Sequence, residues 1–251
     1  MADRILLASR FNFRARFERG SCFGSGGAHY VSRRIVAIFR MLNSRRNIAL
    51  ACTLSALAGY IDGIGFIHLG GLFVSFMSGN STRLGVSLAE ANWSNAGVAL
   101  VLIILFVAGA AAGSLIVLGR GAYRQPWLLL AEASLLVGAA LCHHFGYSVL
   151  AIAAIVLAMG LENAVFQIEG GAGLGLTYVT GALVKAGQLI AAALTGGHRW
   201  GWVPNLLLWV AMVAGAAVGA LAYHWVNLAA VWFAAALALA LSGIVAAAAR
   251  L

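Results

Sequence analysis

Charge is what this sequence has least of. Only 9% of its 251 residues are charged, 63% are hydrophobic, and the mean hydropathy is +0.95. Soluble domains carry about 25% charged residues. A chain this poor in polar cover cannot face water on all sides, so the composition predicts an integral membrane protein. Proline is nearly missing, with two residues, so proline kinks are not the main device for breaking helices. Cysteine is scarce as well. Cys22, Cys52 and Cys142 are scattered, which excludes a disulfide framework and a metal-binding spacing. Cys142-His143-His144 invites a metal reading, but adjacent helical residues point in different directions. A helix end near the headgroups is the better reading, and no cofactor is called for. Glycine is abundant, at 31 residues, and with the many alanines it suits helices packed closely in lipid.

The net charge of +9 is a property of one end. Residues 1–46 hold ten Arg against Asp3 and Glu18, which accounts for all but one of those charges. A basic tail beside the first membrane segment reads as cytoplasmic and can rest on anionic lipid. No folded basic module follows, so nucleic acid is not an expected partner. Residues 1–40 lack the long apolar core of a secretory signal peptide. Arg almost without Lys, with heavy Ala and Gly, suggests a GC-rich bacterial gene and an inner-membrane location. Part of 1–40 is expected to be disordered, and Met41 would also serve as a start.

Eight apolar stretches follow, near 48–68, 72–89, 97–119, 127–145, 148–168, 172–194, 203–223 and 228–249. A spanning helix needs about 20 residues. The fold class expected is an all-α polytopic bundle with six to eight membrane segments. Trp93, Trp127, Trp200, Trp202 and Trp225 fall at the ends, as an interfacial belt requires.

The second half reads like the first. Ser75-x-x-Ser78-Gly79-x-x-x-Arg83-x-Gly85 returns as Thr177-x-x-Thr180-Gly181-x-x-x-Lys185-x-Gly187. Gly59-x-x-Asp62 returns as Gly160-x-x-Asn163, and VAGAAAGSL (107–115) as VAGAAVGAL (213–221). The offsets of 101, 102 and 106 residues increase in order, as a colinear duplication requires. The expected division is a tail (1–46), a first repeat (48–146) and a second repeat (148–249).

Five charges lie inside apolar segments: Asp62, Arg83, Glu132, Glu162 and Lys185. Each costs about 2.5–3.5 kcal/mol near the bilayer centre, so such groups face the interior and pair. The separations suggest Asp62 with Arg83 and Glu162 with Lys185. On a continuous helix, Ser75, Ser78, Gly79, Thr82 and Arg83 share one face, with Asn80 and Ser81 beside them. Thr177, Thr180, Gly181 and Lys185 form the matching stripe. Two such stripes meeting at a pseudo-symmetry axis would line a polar site for a small polar or anionic solute, with Asp62 or Glu162 carrying a proton. The competing reading is glue between helices, which is also the better reading of Gly59/Gly63, Gly109/Gly113 and Gly215/Gly219. Glu132 has no counterpart in the second half, and His68 and His224 read as interfacial.

Topology leaves two arrangements. If all eight segments span and the tail is inside, Arg120 and Arg124 fall outside, against the positive-inside rule. If 72–89 and 172–194 cross only partly, Arg120, Arg124, Arg199 and Arg250 all join the tail, and two three-crossing repeats are inverted. Non-helical backbone at depth is tolerated where protein covers it. Gly70-Gly71 and Gly170-Gly171 sit where such breaks would form.

Arg45-Arg46 and then ALAGYIDGIGFIHLGGLFVSFMSGNSTRLG (56–85) resemble the YoaK-type family of uncharacterised bacterial membrane proteins, a domain-of-unknown-function family. The resemblance covers about 45–249 and rests on Gly59-x-x-Asp62 followed by Phe73-x-Ser75-x-x-Ser78-Gly79-Asn80. Ser78 replaces the commoner Thr, and Ala182 stands where Asn80 would recur, so two equivalent sites are not expected. The resemblance implies a multi-pass inner-membrane protein and supplies no substrate. Three functions remain open. They are a secondary transporter or exporter with possible proton coupling, a non-catalytic subunit, assembly factor or sensor, and a membrane-embedded enzyme, for which no catalytic constellation stands out.

Overall fold

A computed structural model describes residues 45–120, 124–165 and 179–248. Residues from Ala49 on form one compact unit, and the preceding unit, Met1–Ile48, lies almost wholly outside the described residues. The described chain is helical, as its composition requires. Eight α-helices follow in order: α1 (Arg45–His68), α2 (Met77–Ala89), α3 (Trp93–Arg120), α4 (Arg124–His144), α5 (Ser148–Glu162), α6 (Val179–Leu194), α7 (Val203–Val226) and α8 (Val231–Ala248). A short 3-10 turn, Asn227–Ala230, reverses the chain between α7 and α8.

Among the described residues, four stretches are long and apolar enough to cross a membrane: Ile48–His68, Trp93–Leu118, Gln125–His144 and Val203–Ala248, the last holding both α7 and α8. The second segment behaves differently. α2 has 13 residues, about 20 Å of helix, against about 30 Å of hydrocarbon. Before it runs a non-helical stretch from Leu69 to Phe76. Gly70 and Gly71 open that stretch at φ +62° and +102°, angles that side chains disfavour, and the Gly71 N–H closes α1 by donating to the Phe66 carbonyl (2.8 Å).

The polar contacts fix which helix ends lie together. His68, at the end of α1, bonds the Tyr223 hydroxyl near the end of α7 (3.1 Å). His68 and Leu69 also line an apolar groove of about 630 Å³ with Trp93 and Ser94 at the start of α3 and Ser148 and Val149 at the start of α5. Hence α1 runs opposite to α3, although α2 lies between them. The chain leaves one end of the bundle after α1 and returns to it before α3.

Two helix crossings carry the closest packing. A Cβ on Gly59 would fall on the Met212 carbonyl, and one on Gly63 on that of Ala216. From the other side, Gly215 and Gly219 meet the carbonyls of Ala56 and Tyr60. So α1 and α7 touch backbone to backbone, in parallel. The second crossing joins α3 to α5. Gly109 and Gly113 meet Leu157 and Leu161, while Gly160 meets Phe106 and Ala110. Dispersion at such short range, with small residues at the seam, holds helices together where no hydrophobic drive exists between them. Around these seams, α4 packs on α5 and α8, α2 on α3, and α6 on α7.

Candidate functional site

The stripe expected at 75–83 does not form as one helical face. Because the break delays the helix until Met77, Ser75 lies outside it and the register of the buried face changes. Asn80 is buried, and Met77, Leu84 and Ser87 are half-buried, a spacing of three, four and three. Ser78, Ser81, Thr82 and Arg83 are exposed. Ser81 and Thr82 satisfy their hydroxyls on their own helix, at the Met77 and Ser78 carbonyls. Gly79 abuts the Phe73 and Phe76 rings of its own segment, not a neighbouring helix.

What the polar residues do instead is hold the break. Asp62 is almost fully buried on α1. Its Oδ1 accepts from the Val74 N–H (2.9 Å) and the Ser75 N–H (2.7 Å), and its Oδ2 from the Ser75 hydroxyl (2.6 Å). Asn80 clamps the other side: its Oδ1 accepts from the Phe73 N–H (2.9 Å) and its Nδ2 donates to the Phe73 carbonyl (2.7 Å). Non-helical backbone away from water must find partners inside the protein. Here one carboxylate and one amide supply them, and Phe66, Phe73 and Phe76 pack ring on ring around them. The expected Asp62–Arg83 ion pair is therefore replaced by hydrogen bonds to the chain. Arg83 lies over Gly71, so that a Cβ there would strike its guanidinium. That places a cation beside the carbonyl-rich end of α1, where the helix dipole favours it.

The second half differs. Asn163 is half-buried and donates to the Met159 carbonyl of its own helix (2.9 Å). Thr180 is exposed, Gly181 and Lys185 are half-buried, and Thr177 and Gly170-Gly171 lie outside the described residues. Among the described residues, neither oxygen of Glu162 has a hydrogen-bond partner. The acids Glu132 and Asp62 are its electrostatic neighbours.

Glu132 and Glu162 are the least expected feature. Both are completely buried, and among the described residues none of their four carboxyl oxygens has a hydrogen-bond partner. Leu128, Leu129, Ala133 and Leu136 surround Glu132 along α4, and Ala158, Met159 and Leu161 flank Glu162 along α5. The sequence signal was available. The turn at Phe145–Tyr147 makes α4 and α5 an antiparallel hairpin, and both residues stand about four turns from it. Counting inward from the turn pairs them; searching for opposite charges does not. Among the described residues no group of three His, Cys, Asp or Glu side chains could hold a metal ion.

Long apolar helices, close glycine seams and a polar break held inside the bundle define a multi-pass helical membrane protein. The chain belongs to the family described as "Protein of unknown function (DUF1275)", whose model matches residues 50–244. It is 37% identical over 185 residues to a UPF0700 transmembrane protein of Rhizobium meliloti (strain 1021), covering 72% of this chain and 79% of that protein. No solved structure matches.

Proposed function

We propose that this chain is a small secondary transporter of the bacterial inner membrane that moves a small polar solute, with its N-terminus in the cytoplasm. The supporting observation is the arithmetic of the glycine seams. Ala56 and Tyr60 on α1 stand 101 residues before Leu157 and Leu161 on α5, and Phe106 and Ala110 on α3 stand 106 before Met212 and Ala216 on α7. Gly59 and Gly160, and Gly109 and Gly215, occupy corresponding places with the same offsets. In this reading α1–α4 and α5–α8 are duplicated halves that interlock, each donating its first helix to the third helix of the other.

Because α1 and α3 run in opposite directions, each half crosses three times and the halves are inverted. The positively charged ends at Arg120, Arg124, Arg199 and Arg250 then share the side of the basic tail. Inverted repeats, a discontinuous second segment and buried ionisable groups between them are the architecture of alternating-access carriers. The acidic interior and the exposed Arg83 favour a neutral or cationic solute over an anion. An enzymatic role has less support, since no catalytic constellation stands out in the sequence. A non-catalytic subunit is the second reading, favoured by the purely structural bonds of Asp62 and Asn80.

The test is solute-driven proton movement. Proteoliposomes holding a pH-sensitive dye are challenged with inward gradients of small amines, amides, polyols and organic acids. A pH change specific to one class, absent from protein-free vesicles, supports the transporter. Responses identical in both vesicle types across all classes refute it.

A further inference from the structure

We propose that Glu132 and Glu162 together form the proton-binding site of this transporter, a carboxyl pair that gains and releases one proton during the cycle. The proposal rests on the transporter reading and names the coupling ion. An ionised carboxylate without a hydrogen-bond partner is very costly in a dry interior. Two at matching depth on packed antiparallel helices cannot both be ionised at reasonable cost, so one proton held on the pair as a carboxylic O–H lowers that cost.

The groups able to influence the pair can be named for each helix around it. α4 brings Glu132, α5 brings Glu162, and α1 brings Asp62, which acts on Glu162. The segments Trp93–Leu118 of α3 and Val231–Ala248 of α8 carry no titratable side chain. Asp62 is already held by three donors, so its oxygens are committed to the break after α1 and not to the pair.

A metal ion fits this place poorly. Hard cations need six or more oxygen ligands at close range, whereas the residues one turn before and after Glu132 on α4 are Leu128, Leu129 and Leu136, all buried. A proton needs a single oxygen.

Infrared titration of the purified full-length protein in liposomes tests this directly. The expected result is a carboxylic C=O band at neutral pH that shifts in D2O and vanishes in alkali. It weakens in Glu132→Gln and in Glu162→Gln and is absent from the double variant. If the glutamine variants do not fold, Glu132→Asp and Glu162→Asp serve, and each is expected to move the titration midpoint of the band. A missing band, one that neither exchanges nor titrates, or one untouched by these variants overturns the proposal. Solute-driven flux without the band leaves the transporter standing and removes this site. An exchanging band without flux for any solute removes the transporter reading itself.

Discussion

Replacing Asp62 with leucine isolates the role of this carboxylate. The side chains share a branched shape, with leucine's methyls bulkier than the oxygens they replace, and the break after α1 loses its acceptor. The N–H groups of Val74 and Ser75 are fixed by the backbone and cannot turn elsewhere. Both residues are at most 1% exposed, so water cannot replace the carboxylate. Each orphaned buried donor costs about 1–3 kcal/mol, which gives roughly 2–6 kcal/mol for the pair. The Ser75 hydroxyl can rotate and adds little. Against a total stability of about 5–15 kcal/mol, Asp62→Leu should therefore come close to unfolding the protein. Asp62→Asn keeps an acceptor at Oδ1 and should cost about 1 kcal/mol. Arg83→Gln, at an exposed site, should cost no more than about 1 kcal/mol. Thermal unfolding in detergent, followed by tryptophan fluorescence, ranks the three. If Asp62→Leu melts with the wild type, or if Arg83→Gln costs as much as Asp62→Leu, the loop-anchor account fails and the ion pair returns.

Other outcomes follow from the same geometry. Asn80→Ala leaves both polar groups of Phe73 unpartnered and should cost about 2–4 kcal/mol, whereas Asn80→Asp keeps the acceptor and should cost less; the same melting assay orders them. Gly59→Val and Gly160→Val each drive a side chain into a facing carbonyl, at Met212 and Phe106, and should fail alike in expression and monodispersity. Nothing lies within 4 Å of a Cβ at Gly138, so Gly138→Ala should stabilise by about 0.5–1 kcal/mol through helix propensity. If it destabilises instead, α4 has a neighbour that this packing lacks. For sidedness, a cysteine at Ala122 in a background without the native three should resist an impermeant thiol reagent in intact cells, while one at Tyr147 should react. The reverse pattern refutes inverted halves with an internal N-terminus.

Much of the scaffold was legible because membrane helices write their packing in small residues. Gly59, Gly63, Gly109, Gly113, Gly215 and Gly219 were read as seams, and each meets backbone of another helix. The location of the break was legible too, since Gly70-Gly71 interrupts an otherwise continuous apolar run. The phase after the break was not. A face at 75, 78, 79, 82 and 83 assumes that the helix is already running at Ser75. A tight turn at Phe76, where the Met77 N–H donates to the Ser75 carbonyl (3.1 Å), suffices to turn Ser78, Thr82 and Arg83 outward and Asn80 inward. The expected Asp62–Arg83 pair gave way for a related reason. Pairing acid with base assumes that an anion's cheapest partner is a cation, but a broken backbone offers free N–H groups at shorter range. Asp62 took those.

The asymmetry of the interior then limits what any duplicated ancestor can have left. The proposed symmetry maps Glu132 onto Ala238, Glu162 onto Ile61 and Asp62 onto Asn163. Ala238 and Ile61 are as deeply buried as the acids they mirror, so both places are core on either side of the axis. The glycine seams recur while the titratable groups do not. A backbone contact constrains both copies, because losing either glycine separates helices, whereas one acidic centre suffices for one translocation path. Two equivalent carboxyl pairs would double the cost of burying unpartnered acid without adding a second route. The halves are therefore expected to move as mirror-related bodies around a single chemical centre held by α1, α4 and α5. On that view Glu132→Gln abolishes proton coupling alone, whereas Ala238→Glu adds a buried acid with no partner and destabilises the fold instead of creating a second site. An Ala238→Glu protein that melts with the wild type and binds an additional proton would show that the centre is symmetric after all.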